Sequence, residues 1–448
     1  ASRYVLLAFF FGLLAILAHD RWRREGSCVQ GFLSSIWLTL ALLSGEAGLG
    51  AIAYLAAYAL FLDRGLWRKR LFSLMPSLAV VAAWRIIYAY LGYGVSGTDE
   101  YVDPTLEPLG FLSGIVERGP ILLLGLLAEP DPSRFTALSV TGGYFLWLGA
   151  IIFLGTVFFL LLPLLRRNRV AYFWAAGMLL CIVPSGASNL PSGRLLLFAG
   201  LGGMGLVAQV IGGALDRQNW VPVGQTRRAS IWALTILFIG LHLLIPAWHG
   251  FKRFTKLSYV TSESERKPEF ILPPNIEGRD VTIINHPAPY SLHVMPYYNA
   301  LVGQPLPAHI RVLAPGFSAL EFIRGDEVTL VVRSECGFLA PPDCSSKNEP
   351  GQFPIVSPIY RHQLLNYLIF RDRNHPLKLG ELIELSGVRI EVTRLSKDGY
   401  PLEATFRFRR PLEDPSMKWF KWDWQTKSFI SSSPPPIGET IRIPGPFE

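Results

Sequence analysis

The first 250 residues contain one apolar segment after another, and this constrains the fold more than any other feature of the sequence. A helix needs about 20 mostly apolar residues to cross the roughly 30 Å hydrocarbon core of a bilayer. We therefore predict a polytopic α-helical membrane domain with about eight crossings, two of them short. The crossings are placed at 3–18, 30–45, 47–62, 72–92, 143–165, 169–186, 194–214 and 229–247.

Charge divides the 448-residue chain into two parts. Lys and Arg number 18 and Asp and Glu number 12 in the first 250 residues, against 24 and 22 in the remainder. We predict a transmembrane domain over 1–249, a linker over 250–275 and an extracytoplasmic domain over 276–448. Short β-rich runs separated by turns predict that the last domain is a β-dominated α+β domain.

Two β-hairpins are predicted in the last domain, because a short polar turn joins two β-rich runs in each case. ALEFIR and VTLVVR flank Gly325-Asp326-Glu327, and VRIEVTRL and LEATFRFRR flank Lys397-Asp398-Gly399. Arg324-Gly325-Asp326 also spells an adhesion tripeptide. We interpret it as part of the hairpin turn.

The orientation follows from Lys and Arg in the short loops, which are enriched on the cytoplasmic side. Thirteen lie in alternate loops, whereas the intervening loops hold three. The domain after the last crossing is therefore expected outside the cytoplasm. The thirteen are Arg21, Arg23, Arg24, Arg64, Arg68, Lys69, Arg70, Arg166, Arg167, Arg169, Arg217, Arg227 and Arg228.

The segment 109–128 is apolar enough to span, but it carries Glu117-Arg118 and Gly119-Pro120 near its centre. The charge count places both of its flanks outside. We predict a helix that lies in the membrane interface. A re-entrant segment is the alternative.

Three charged residues interrupt or border the crossings, where a charge costs about 2.5 to 3.5 kcal/mol on insertion scales. Glu46 lies at the tip between the second and third crossings, Arg85 lies in the middle of the fourth, and Arg194 opens the seventh. We predict that the two arginines bind an anionic group and that Glu46 positions a polar substrate. Two alternatives stay open: a buried Glu–Arg pair that holds helices together, and an Arg194 that snorkels to headgroups.

Other chemistry-bearing residues are sparse. Asp99, Glu100 and Asp103 could serve as a general base or hold a metal, or simply form a solvated acidic loop. Among the four cysteines, Cys336 and Cys344 are predicted to form a disulfide worth roughly 2 to 3 kcal/mol, because both are expected in an oxidising compartment. Gly200 to Gly205 match a dinucleotide-binding pattern inside a crossing, where close helix packing explains them better.

A resemblance enters at two of the charged positions. LALLSGEAGLGAIAYLAAYAL resembles a stretch of GT-C glycosyltransferases of the protein O-mannosyltransferase type, in which a Leu-rich crossing ends in Ser-Lys-Glu. Ser44 and Glu46 match, and Gly45 stands in place of the Lys. SNLPSGRLLLFAGLGG resembles the family's Glu-Arg-containing segment, where Arg194 matches and Gly193 replaces the Glu.

The resemblance covers roughly residues 1–215. It implies a multi-pass enzyme that transfers a sugar from a polyprenyl-phosphate donor at an extracytoplasmic active site, with a divalent cation as an optional cofactor. The family's catalytic acid usually lies in the first external loop, which is expected upstream of Ala1, so no catalytic residue is assigned.

Two other classes of function stay open. A non-catalytic accessory or scaffold subunit of a larger membrane complex is favoured by the two substituted motif positions. A transporter is the third option, although only Glu46 and Arg85 interrupt the crossings. The expected location is the bacterial inner membrane, and the expected partners are lipids, a polyprenyl-phosphate sugar and other membrane subunits. Nucleic acid is not expected, because most of the +8 net charge belongs to loops near lipid.

Overall fold

The computed structural model describes residues 3–94, 97–128, 130–138, 140–216, 220, 224–260, 272–273, 275–301, 303, 305–341, 358–371 and 375–446. The chain divides into two compact units. The first comprises Ala1–Val95 and Glu100–Thr255, and the second comprises Ser96–Asp99 and Lys256–Glu448. The first is helical and the second is rich in β-sheet, as the sequence predicted for the two parts of the chain.

Helices form wherever a crossing was predicted. The α-helices of the first unit are α1 (Arg3–Glu25), α2 (Cys28–Ser44), α3 (Gly50–Phe61), α4 (Trp67–Phe72), α5 (Met75–Tyr90), α6 (Pro108–Ala128), α7 (Val140–Arg167), α8 (Arg169–Ser185), α9 (Leu197–Leu215), α10 (Gln225–Ile239) and α11 (Ile245–Val260). Short 3-10 segments cover Glu46–Leu49, Pro132–Ala137 and Gly193–Leu196, and a π-helical turn covers Gly240–Leu244.

Among the described residues, six helical spans are long and apolar enough to cross a membrane. They are Arg3–Glu25, Trp67–Tyr90, Pro108–Ala128, Thr141–Arg167, Gly193–Leu215 and Arg228–Lys252. Three shorter apolar helices cover Cys28–Ser44, Glu46–Phe61 and Arg169–Ser185. The predicted segments are therefore helices, and Pro108–Ala128 is a further apolar helix beside them.

Close packing in the core of this unit depends on glycine. Gly177 and Gly202 face Tyr54, whose hydroxyl donates to the Phe198 carbonyl oxygen at 2.7 Å. A Cβ at Gly202 would lie 2.9 Å from Met178 Cβ and closer still to a backbone oxygen of α8. Helices α3, α8 and α9 approach closely because these positions lack side chains. This confirms the packing interpretation of the glycine-rich segment.

Helix α6 packs against three neighbouring helices, α7, α8 and α9. Ile115 contacts Gly186, just after α8, and Leu126 contacts Gly203, about 9 Å along α9. Trp147 Nε1 of α7 donates to the Val116 carbonyl oxygen at 3.0 Å. In the last turn, the Leu127 carbonyl oxygen lies 3.1 Å from His242 Nε2, inside the apolar span Arg228–Lys252. Helix α6 is therefore packed into the helical unit on several sides.

The second unit contains two β-sheets. A four-stranded sheet has the order β2-β1-β8-β9 and a six-stranded antiparallel sheet has the order β10-β3-β4-β7-β6-β5. The strands are β1 (Asp280–His286), β2 (His309–Pro315), β3 (Leu320–Arg324), β4 (Thr329–Ser334), β5 (Leu382–Leu385), β6 (Val388–Leu395), β7 (Pro401–Phe408), β8 (Met417–Asp423), β9 (Ser428–Ser432) and β10 (Thr440–Ile443). The described part of this unit also contains the helices α12 (Met295–Leu301) and α13 (Pro358–Phe370) and a 3-10 segment at Pro289–Val294.

Both predicted hairpins are confirmed. Strand β3 pairs with β4 and strand β6 pairs with β7, each in antiparallel register. Arg324 of the adhesion-like tripeptide is buried, and the Asp326 carboxylate accepts hydrogen bonds from Val328 N at 2.8 Å and Thr329 Oγ1 at 3.0 Å. The tripeptide is therefore engaged in the turn. Cys344 lies outside the described residues, and the disulfide with Cys336 stays a prediction.

Strand β1 is buried on both faces, since both of its neighbours pair in parallel. The Asn285 side chain extends the pairing with β8: its Nδ2 donates to the Trp422 carbonyl oxygen at 3.2 Å, and its Oδ1 accepts from Trp422 N at 2.8 Å. The buried Asn285 side chain thus satisfies the Trp422 N–H and C=O, which lie beyond the last backbone pair of β1 and β8.

Replacing Asn285 by alanine should lower the free energy of opening of β1 and β8 by about 1 to 3 kcal/mol, because Trp422 N–H and C=O lose their buried partners. Hydrogen exchange of the full chain in detergent, read from peptides covering the two strands, measures this loss. Gln425→Ala removes an exposed amide from the β8–β9 turn and is the matched control. Equal protection in both variants would contradict the role of Asn285.

Candidate functional site

Four segments of the helical unit meet at one end of the bundle. They are the 3-10 turn after α2, the last turns of α5, residues 100–107 and the connection from α8 to α9. Arg118, in the middle of α6, joins them through Asn189. Together these polar side chains form what we call the polar cluster: Glu46, Arg85, Tyr88, Glu100, Tyr101, Arg118 and Arg194. All seven belong to the same compact unit.

Glu46 is held by a tyrosine. The 3-10 turn that begins at Glu46 sets its carboxylate against α5, where the Tyr88 hydroxyl donates to Glu46 Oε1. Arg85, one turn earlier, places its guanidinium carbon 5.8 Å from the Tyr88 ring centroid, a cation–π geometry. The sequence left open a buried Glu–Arg pair, but the described partner of Glu46 is Tyr88.

Arg85 lies within α5, five residues, or about 7.5 Å, before the helix ends at Tyr90. It belongs to the apolar span Trp67–Tyr90, and its side chain is exposed beside Tyr88. Its role in binding an anion stays a prediction.

A short antiparallel pairing fixes the loop beside these residues. Val102 N donates to the Ala187 carbonyl oxygen at 2.9 Å, and Asn189 N donates to the Glu100 carbonyl oxygen at 2.9 Å. Tyr101 and Ser188 lie opposite each other in this pairing. The loop before α6 is thereby tied to the connection that leads into α9, which positions Glu100 beside Arg194.

Arg194 and Glu100 form a long, partly exposed ion pair. Arg194 Nη2 lies 4.0 Å from Glu100 Oε1, and the arginine side chain is 54% exposed. Burial, followed by the negative charge of Glu100, raises the pKa of Tyr101, whose hydroxyl also interacts electrostatically with Arg194 and Glu46. Tyr101 therefore remains a neutral hydrogen-bond donor at physiological pH. Most of the Arg194 guanidinium stays available to a ligand.

Arg118 is the most buried cation of the cluster. It is 7% exposed, donates from Nη1 to Asn189 Oδ1, and lies against Gly114, which has no side chain to displace it. Its Nε has no hydrogen-bond partner. Glu117, its neighbour in α6, interacts with it electrostatically, but no described carboxylate forms an ion pair with Arg118. A buried donor without a partner is suited to an anionic ligand.

The three acidic residues Asp99, Glu100 and Asp103 have different surroundings. Asp103 Oδ1 accepts from Thr105 N at 2.7 Å and Thr105 Oγ1, and these bonds lower the pKa of Asp103. It serves as a turn-forming carboxylate. Asp99 belongs to the other compact unit, where its N–H donates to the Leu368 carbonyl oxygen at 2.9 Å. Of the three, Glu100 belongs to the polar cluster, and the Asp103 carboxylate interacts with Arg85 electrostatically.

The cluster combines three guanidinium groups, two carboxylates and two tyrosine hydroxyls. Within the described ranges, no group of three or more His, Cys, Asp or Glu side chains is placed to hold a metal ion. The guanidinium and hydroxyl groups can donate charge-assisted hydrogen bonds to a phosphate or phosphodiester.

The structure brings together all three residues that the sequence singled out, Glu46, Arg85 and Arg194. Sequence reasoning missed Tyr88, Tyr101 and Asn189 as members of the site. Tyrosines at the ends of apolar helices are common as interfacial anchors, so neither carried a distinguishing signal. Arg118 did carry one, a charge inside an apolar run.

The chain was compared with protein-family models, with curated protein sequences and with solved structures, and none of the three comparisons finds a match.

Proposed function

We propose that the chain is an integral membrane protein of the bacterial inner membrane, with the polar cluster and the second unit on the extracytoplasmic side. The six long apolar spans support a membrane location. Segregation of charge supports the orientation: Arg166, Arg167 and Arg169 lie at the α7–α8 connection, and Arg68 and Lys69 lie at the opposite end of α5 from Tyr88. Cytoplasmic loops carry such an excess of cations.

We propose that α6 lies in the outer membrane interface. Its length would suffice to cross, but Glu117 and Arg118 lie near its middle. A position in the interface keeps both charges near the headgroups, where a guanidinium is least costly. Without α6, five long spans remain. Together with the three shorter apolar helices they give eight crossings.

We propose that the polar cluster binds the phosphate of a polyprenyl-phosphate-linked sugar and that the protein is a GT-C-like transferase. The observation that carries this proposal is the convergence of Arg85, Arg118 and Arg194 at one end of an apolar helix bundle, with Arg118 buried and without a carboxylate partner. A lipid-linked anion fits such a site, because its apolar tail can lie along the apolar helices while its charged head meets the arginines.

The individual roles follow from exposure and contacts. Arg194 is half-exposed and would meet the phosphate first, and Arg118 would stabilise its charge from the buried side. Glu46 would orient a sugar hydroxyl through the carboxylate oxygen that Tyr88 does not occupy. The resemblance to the protein O-mannosyltransferase type supports Glu46 and Arg194 in these positions.

A non-catalytic subunit of a membrane complex is the second candidate. Gly45 and Gly193 replace a Lys and a Glu of the resembling motifs, which removes one charge from each. Such a protein would bind the lipid-linked anion without turning it over. Binding and transfer must therefore be measured separately.

Binding is tested with a polyprenyl monophosphate and the full chain in nanodiscs. Arg194→Gln should weaken binding by about 10- to 150-fold, because it removes a charge-assisted hydrogen bond worth about 1.5 to 3 kcal/mol. Arg169→Gln, at the α8 end remote from the cluster, is the matched control and should leave the affinity unchanged. Native mass spectrometry reads both variants.

Three results separate the candidates. Tight binding with release of a labelled sugar from its polyprenyl-phosphate donor to an acceptor supports the transferase. Tight binding without turnover supports the accessory subunit. Equal affinity of the Arg194→Gln variant and the wild type would contradict the site itself.

A further inference from the structure

A second cationic region lies at the other end of α5 from the polar cluster, in the connection from α3 and in α4. Arg64, Arg68 and Lys69 are exposed there. In the described part of the chain, no carboxylate forms an ion pair with any of the three. The Arg68 guanidinium carbon lies 5.7 Å from the ring centroid of Trp67. These charges have no role in the proposed transfer site.

The nearest carboxylate on the chain is already engaged. Asp63, whose side chain is 3% exposed, binds Arg23 with an Nε–Oδ2 distance of 2.7 Å and accepts from Gly65 N at 2.7 Å. Arg70 Nε donates to the Gly65 carbonyl oxygen at 2.7 Å. These bonds fix the connection between α3 and α4. They also leave Asp63 unavailable to neutralise its cationic neighbours.

Apolar side chains lie between these cations. Leu66, Trp67, Leu71 and Phe72 are 72%, 65%, 50% and 70% exposed, and no residue of α4 is buried. Large apolar and aromatic groups interleaved with Lys and Arg are suited to the boundary between headgroups and acyl chains. The aromatic and aliphatic groups enter the acyl region while the cations remain at the level of the phosphates.

We propose that residues Arg64–Phe72 form a binding site for anionic phospholipid headgroups, which we call the α4 lipid site. Charge complementarity selects the occupant: three unpaired cations favour an anionic headgroup over a zwitterionic one, and the exposed apolar side chains favour a lipid over a soluble anion. The proposal depends on the membrane location argued above and is independent of sugar transfer. An acidic protein segment is the competing occupant and predicts no preference among lipids.

The test uses the full chain in neutral detergent with equimolar phosphatidylglycerol and phosphatidylcholine, read by native mass spectrometry. Wild-type protein should retain phosphatidylglycerol with at least a tenfold preference. R64Q/R68Q/K69Q should reduce that preference by about tenfold or more. R166Q/R167Q/R169Q removes the same charge from the α7–α8 connection and should keep it. R64K/R68K/K69R, which preserves the charge, should behave as wild type.

Three results would overturn the proposal. The wild type could show no preference for phosphatidylglycerol, or R64Q/R68Q/K69Q could keep the preference while eluting as a folded monodisperse species. The control R166Q/R167Q/R169Q could also lose the preference to the same extent. Displacement by millimolar glycerol phosphate would assign the cations to a soluble anion. Triton X-114 phase separation is the independent check, because recovery of the wild type in the aqueous phase would instead contradict the membrane location.

Discussion

Replacing Gly202 by alanine is expected to destabilise the helical unit by about 3 kcal/mol, because the new methyl has no room between α8 and α9. It would lie 2.9 Å from Met178 Cβ and closer to the Trp174 carbonyl oxygen, which is backbone and cannot rotate away. The same methyl meets the Tyr54 hydroxyl, which anchors α3 to Phe198. Helices α8 and α9 would have to separate, with loss of their shared contacts.

The matched control lies on the same helix. An alanine at Gly212 meets no atom within 4 Å, and it removes the conformational cost of a helical glycine, so Gly212→Ala should be neutral or more stable by up to about 1 kcal/mol. Thermal unfolding in detergent, followed by tryptophan fluorescence, compares the two. A Gly202→Ala variant that unfolds at the wild-type temperature would show that α8 and α9 are not packed as described.

Replacing Arg324 by methionine should destabilise the six-stranded sheet by about 3 kcal/mol. This buried guanidinium joins three parts of the unit: it donates to Asp326 O at 3.0 Å, to Pro435 O at 3.1 Å and to Glu413 Oε2 at 2.7 Å. Methionine fills similar space but leaves the two backbone oxygens without partners. Hydrogen exchange of the β3–β4 hairpin in the full chain measures the effect.

Glu413→Gln is the informative companion variant. The Glu413 side chain is 59% exposed, so water solvates it well and its removal should cost only about 1 kcal/mol or less. Arg324→Lys keeps the charge but loses the planar fork, and it should fall between the two. A methionine variant no weaker than Glu413→Gln would mean that the backbone contacts of Arg324 contribute nothing.

The same pair predicts a pH dependence. The Arg324 guanidinium, through its hydrogen bonds, lowers the pKa of Glu413 below its ordinary value of 4.5. A carboxyl whose folded pKa is depressed stabilises the fold above its unfolded pKa, and this contribution is lost as the pH falls through the folded value. Hairpin protection in the wild type should therefore decrease below about pH 4.5, whereas Glu413→Gln should lack that component. An identical acid profile in both would contradict the linkage.

Local patterns predicted the elements well because each pattern reflects a local physical requirement. Apolar runs of sufficient length form helices regardless of their neighbours, and the short polar turns at Gly325 and Gly399 bring adjacent strands together. Arg85 was placed correctly inside an apolar helix, because that placement needs only the length of the apolar run. Which apolar face packs where is a long-range property, and the sequence pattern carries no information on it.

For the site, the sequence alone determined which residues are unusual. Glu46, Arg85 and Arg194 stood out because a charge in an apolar segment is costly, and that cost is readable without a structure. Only the tertiary structure decided that they share one end of the bundle with Tyr88, Tyr101 and Arg118. A tyrosine at the end of an apolar helix carries no insertion cost that would make it stand out in the sequence. The role of these tyrosines arises from contacts between distant parts of the chain. Packing places the Tyr88 hydroxyl against Glu46 and Tyr101 near Glu100 and Arg194.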